Sequence, residues 1–166
     1  MRKPVIGVMG GAAVSADVYA MARELGGLIA RQGWVLLNGG RNQGVMAASA
    51  AGAKEAGGTV VGILPDRTTE QASPDLDVAV VTGMGDGRNL LNVLSSDVVI
   101  ACPGALGTLS QITLALKNGR DVILLRRDVE PSFEEFRRRG QLLLAQSPAE
   151  AVEQAAGVLA KRLSAR

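Results

Sequence analysis

The chain has 166 residues, enough for one domain that buries about 70% of the surface its unfolded form exposes, and its 18 basic and 16 acidic residues leave a net charge of +2. It contains no histidine and a single cysteine, which excludes an intramolecular disulfide, the usual metal constellations and both Ser-His-Asp and Cys-His catalysis. The pI near 9.0 does not bring nucleic acid with it, because sequence-tolerant binders pair a basic groove with stacking aromatics and here only Tyr19, Trp34, Phe133 and Phe136 exist; no nucleic-acid partner is expected.

In chain order, Val5–Met9 is the first predicted strand; it is too short for a signal-peptide core and runs straight into Gly10 and Gly11. No apolar run reaches membrane-spanning length, so the expectation is a soluble cytoplasmic protein with no membrane partner. Further short β-branched runs follow at Val35–Asn38, Thr59–Leu64, Val78–Val81, Val98–Cys102 and Val122–Leu125, with Leu142–Ala145 as a short seventh. Between them, Ala-rich amphipathic stretches predict helices over Asp17–Gln32, Gly44–Ala56, Arg88–Ser95, Thr108–Asn118 and Pro148–Leu163. Gly57-Gly58 and Asn118-Gly119 read as helix stops, and Ser147 as the N-cap of the last helix. This alternation predicts an α/β fold, a single Rossmann-like domain over residues 1–166 with three α/β/α layers and a mainly parallel sheet of six or seven strands. The polar connection Pro65 to Asp77 is read as a surface loop in preference to a lid.

The glycines locate the candidate site. Gly10 and Gly11 follow the first strand, Gly39 and Gly40 the second, and Gly104 and Gly107 the fifth, so all three clusters fall at one edge of the sheet. A single glycine pair after a strand is commonly just a tight turn. Three at the edge where open α/β sheets bind ligands point to a phosphate held on backbone N–H groups and a helix N-terminus. Pro103-Gly104-Ala105-Leu106-Gly107-Thr108 reads as strand end, loop and helix start, with the Thr108 hydroxyl placed either to cap the helix or to touch an anion. It lacks the Lys-Ser/Thr ending of a P-loop, and the first turn lacks G-x-G-x-x-G, so neither a Walker NTPase nor a dinucleotide enzyme is expected. Arg88 opens a helix at the same edge and reads as a partner for phosphate or ribose, as a surface residue, or as a partner of Asp86; Arg41 carries the same ambiguity. Asn89 and Asn92 extend the polar lining, and Cys102 reads as a small core residue.

These residues resemble the LOG-like proteins, formerly labelled lysine decarboxylases, whose signature is a glycine-rich turn followed by PGGxGTxxE. Gly39-Gly40 with Gln43-Gly44-Val45-Met46, and Pro103 to Gln111, carry the resemblance; Thr82-Gly83-Met84-Gly85 with Arg88-Asn89 is similar to the subgroup that includes molybdenum-cofactor carrier proteins. The resemblance implies a ligand site formed by Gly10, Gly11, Gly39, Gly40, Arg41, Met84, Arg88, Asn89, Pro103, Gly104, Ala105, Gly107 and Thr108, with Arg88 and the residue at 111 in the catalytic positions and no metal ligand. Two positions depart from the signature: Ala105 stands for its second glycine, and Gln111 for its glutamate. In the family's hydrolases a nucleoside 5′-monophosphate is split at the N-glycosidic bond, which builds positive charge on the sugar that a carboxylate stabilises. Glutamine is neutral and cannot serve as that base. The resemblance, with that departure, implies a binding protein for a small phosphorylated ligand, a nucleotide or molybdenum cofactor, with no required cofactor. The alternative is a phosphoribohydrolase with Glu55, Asp86 or Asp97 in the glutamate's place; a decarboxylase lysine finds no support in Lys54 or Lys117. The family precedent is a homodimer or higher homo-oligomer, and Leu90, Leu91, Leu94, Leu109, Ile112 and Leu116 are read either as an apolar patch that serves it or as residues that face the sheet.

Overall fold

In the computed structural model, which describes residues 2–164, seven strands form one parallel sheet. They are β1 (Val5–Met9), β2 (Val35–Asn38), β3 (Thr59–Leu64), β4 (Val78–Val81), β5 (Val98–Ala101), β6 (Asp121–Leu125) and β7 (Leu142–Ala145), and their order across the sheet is β4-β3-β2-β1-β5-β6-β7. The chain builds outward from β1 to β4, then returns to place β5 on the other side of β1, with Ile6 level with Val98 and Met9 with Ala101. The order therefore reverses between β1 and β5, and a crevice opens there beyond the strand ends.

The helices α1 (Ala16–Arg31), α2 (Gly44–Glu55), α3 (Arg88–Ser95), α4 (Leu106–Lys117), α5 (Glu134–Arg138) and α6 (Pro148–Ser164) complete three layers. Strand residues alternate between two cores, as the pleat requires. Ile6, Val8, Leu36, Val60 and Ile100 pack with residues of α1, α2 and α6; Met9, Leu37, Ile63, Val99 and Ala101 pack with Val93 of α3 and Ile112, Ala115 and Leu116 of α4. Both faces of the central strands are covered, which is why they read as continuous β-branched and leucine runs. Small residues let α1 and α2 pack backbone to backbone: a side chain at Gly26 would strike the Ser49 carbonyl, and one at Gly52 the Arg23 carbonyl.

Several boundaries differ from expectation. The helix α4 starts at Leu106, before Thr108, and β5 ends at Ala101, before Cys102. The short helix α5 and the 3-10 turn Pro131–Phe133 were not expected. As expected, Ser147 caps α6, its hydroxyl accepting from the Glu150 N–H at 3.2 Å. The Pro65–Asp77 connection is docked: the Asn42 N–H donates to the Gln71 carbonyl at 2.9 Å, the Ser73 N–H to Gly40 at 2.8 Å, and Arg41 forms an isolated bridge with Ala72. Among the described residues no helix is long and apolar enough to cross a membrane.

Candidate functional site

A cleft of about 380 Å³ opens at the carboxyl ends of β1 and β2, against the starts of α3 and α4. Its volume lies in the range of small-molecule sites, roughly 300–1,000 Å³. The turn after β2 is built first, from Asn38. This side chain is fully buried; its carbonyl oxygen accepts from the Gly40 N–H at 2.8 Å, and its amide donates to the Met46 carbonyl and the Ser49 hydroxyl at 3.0 and 3.1 Å. The second glycine turn is thereby tied to α2. Across the crevice, the Gly11 N–H donates to the Pro103 carbonyl and the Val45 N–H to the Gly11 carbonyl, both at 3.0 Å, so the turns after β1 and β5 are fixed to each other and to α2.

Gly104 is tightly enclosed on one side. A β-carbon there would run into the Thr108 hydroxyl and the Gly11 backbone nitrogen. Its carbonyl accepts from Arg127 at 2.9 Å, a contact no motif announced. Ala105, the N-cap of α4, has φ −99°, outside the left-handed region that favours glycine, so alanine can stand in place of the signature's glycine. No side chain caps this helix, and the N–H groups of its first turn are left as free donors beside the cleft. Thr108 is therefore not a cap. It is buried at the cleft wall with Asn89 and Gln111, and none of these three side chains forms a hydrogen bond among the described residues.

Arg88 is neither a surface residue nor the partner of Asp86. Its half-buried guanidinium reaches under the cleft, and Nη1 donates to the Gly39 and Ile63 carbonyls at 2.7 and 2.8 Å. Gly39 has to be glycine for this, since a β-carbon would overlap the guanidinium. Arg88 forms no salt bridge among the described residues, and its buried Nε has no hydrogen-bond partner. Burial and then the Arg41 charge pull it below the ordinary arginine value, and Asp66 and Asp86 only partly offset them. A cation so placed favours an anion arriving in the cleft. Arg41 is already engaged by Asp66, through Nε at 3.0 Å and Nη2 at 2.6 Å. The Arg41 hydrogen bond holds the Asp66 carboxyl below its usual range.

Of the residues read from sequence, Gly10, Gly11, Gly39, Arg41, Arg88, Asn89, Ala105, Gly107, Thr108 and Gln111 line the cleft together. Gly40, Met84, Pro103 and Gly104 do not line it: Gly40 shapes the turn with φ +78°, Pro103 and Gly104 form the support, and Met84 is 52% exposed on the outer surface. Asn92 is fully buried and its amide has no partner among the described residues, so it adds nothing to the lining. Met9, Ala12 and Ala13 line it unannounced, being ordinary residues of the strand end and the turn after it, and Gln43 and Met46, part of the stretch that carries the resemblance, line it from the start of α2. Of the carboxylates weighed as stand-ins for the glutamate, Glu55 pairs with Arg23, and Asp97 precedes β5 at the opposite edge of the sheet. Asp86 alone of the three lines the cleft. Burial pushes the Cys102 thiol up to about 12, which leaves it an inert core residue.

Residues 3–152 match the SLOG cluster4 family. The molybdenum cofactor binding protein of Rippkaea orientalis is 50% identical and superposes with a TM-score of 0.89, over 96% of this chain and 99% of that one. The molybdenum cofactor carrier protein of Chlamydomonas reinhardtii is 41% identical with a TM-score of 0.86 over the same shares. A cytokinin riboside 5′-monophosphate phosphoribohydrolase of Mycobacterium tuberculosis is 35% identical over 106 residues, which cover 63% of this chain and 57% of that protein.

Proposed function

The chain belongs to the SLOG cluster4 family, and from that premise we propose that it is a carrier that binds a phosphorylated pterin of the molybdenum-cofactor type, or a nucleotide of similar shape, without turning it over. Phosphate sits on the free N–H groups at the start of α4 and on Thr108, with Gly10 and Gly11 close enough for the backbone to approach it. Arg88 supplies the charge. Asn89 and Gln111 are neutral amides with unspent donors and acceptors, suited to a heterocycle or sugar. Among the described residues no group of three or more His, Cys, Asp or Glu side chains is placed to hold a metal, so a molybdenum-bearing cargo is held through its organic part.

Gln111 carries this reading. It occupies the cleft where the hydrolases' signature has a glutamate, and an amide neither takes up a proton nor stabilises an oxocarbenium ion as a carboxylate does. The names of the Rippkaea and Chlamydomonas relatives point the same way. The test is a calorimetric titration with GMP and AMP, with free base followed by chromatography on the same samples. Binding without release is expected, and an Arg88→Ala variant that keeps the wild-type affinity would remove Arg88 from the site.

A phosphoribohydrolase is the second reading, favoured by the Mycobacterium relative and by the carboxylate of Asp86 in the cleft. Base release from AMP that disappears in Arg88→Ala would establish it. We also propose a homodimer, because the α3–α4 face leaves Leu90, Leu94 and Leu106 exposed, the last at 80%.

A further inference from the structure

Asp86 sits in the short 3-10 turn Gly85–Gly87, ahead of Arg88, and lines a cleft otherwise equipped for an anion. It lies within electrostatic reach of both Arg41 and Arg88, yet pairs with neither. Arg41 is taken by Asp66, and Arg88 Nη1 by the Gly39 and Ile63 carbonyls. The Asp86 carboxylate makes no hydrogen bond or ion pair among the described residues, so both of its oxygens are free to accept from a ligand. A phosphate cannot be its partner, since like charges repel. The phosphate end of the cleft is supplied elsewhere, by the first turn of α4 and Thr108.

A carboxylate held beside bound ligand is best satisfied by two adjacent N–H donors in one plane, which it accepts with one oxygen each. We propose that Asp86 reads the ring N–H and exocyclic amino edge of a 2-amino-4-oxopyrimidine, the unit shared by guanine and pterins, and so selects that class of ligand for the cleft. This rests on the carrier reading of the same site. Hypoxanthine offers the ring N–H without the amino group. Adenine sets a ring acceptor beside its amino group, which meets a carboxylate with repulsion.

Titrating the full chain with GMP, IMP and AMP isolates the edge, because the phosphate and sugar are common to all three. GMP is expected to bind about tenfold or more tighter than IMP and AMP, the fold-change of losing a hydrogen bond to a charged group. In Asp86→Asn and Asp86→Ala, whose site is an exposed turn, the three affinities should converge. Equal affinities in the wild type, or a GMP preference that survives both substitutions, would overturn the assignment. Equal binding that Arg88→Ala still abolishes would overturn Asp86 alone and leave the carrier reading standing; no binding of any of the three would overturn both.

Discussion

Gly104 and Ala105 are neighbours in one loop, yet the structure asks opposite things of them. The first has no room for a β-carbon, because the Thr108 hydroxyl and the Gly11 nitrogen already fill the space; the second is exposed, with a negative φ. Gly104→Ala is expected to cost about 1–3 kcal/mol, measured by urea unfolding, and to weaken ligand binding by displacing Thr108. Ala105→Gly should stay within about 0.5 kcal/mol of the wild type. The sequence marked both positions as part of a loop motif, but it could not tell them apart, since the collision depends on the folded path that brings Thr108, four residues on, and Gly11, 93 positions away, against Gly104. Arg88 shows the same limit: its helix-opening position was legible, whereas its bonds to the ends of β2 and β3 depend on which strands the topology makes neighbours.

At the scale of elements, every strand was legible because each is a short β-branched or leucine run closed by glycine, proline or a polar residue. The helix α5 was not. Its sequence EEFRR has charged residues at four of five positions and no apolar period; Phe133, buried just before it, seats the segment. The start of α4 was misplaced because Leu106-Gly107 offers an exposed leucine and a poor helix former. Docking of the Pro65–Asp77 connection was equally out of reach, since backbone bonds to Gly40 and Asn42 hold it. The two central strands are joined at their starts by Asp97, which accepts from the Val5 N–H at 2.8 Å and pairs with Arg2. Burial alone would raise this carboxyl, but the Arg2 and Val5 hydrogen bonds outweigh it and hold it below the usual range. Its stabilising contribution is present above the unfolded value near 3.9 and is lost as pH falls through the lower folded value. Asp97→Asn should therefore cost about 1 kcal/mol at pH 7, a figure kept small by the exposure of Arg2, with the gap to wild type closing below about pH 4 in thermal melts.

Over the whole molecule, the reversal of strand order between β1 and β5 brings three glycine turns to one crevice, and it explains why much of the cleft's lining could be read from sequence before any contact was known. The apolar residues of α3 and α4 divide between the two readings the sequence left open. Ile112 and Leu116 face the core, Leu91 and Leu109 are half-buried against it, and only Leu90 and Leu94 of the expected patch are exposed; Leu106 and Met84 join them unannounced. If this face forms the homodimer, light scattering at micromolar concentration should give twice the chain mass, and Leu106→Glu should shift it toward monomer; a wild-type monomer would contradict the dimer. The carrier reading itself is tested most directly by loading the chain with freshly released molybdenum cofactor, removing free ligand, and assaying the retained pterin and molybdenum together. The account predicts that pterin is retained in proportion to protein, chemically unchanged, and lost in Arg88→Ala. Pterin that passes through the wild type unretained, or returns altered, would contradict it.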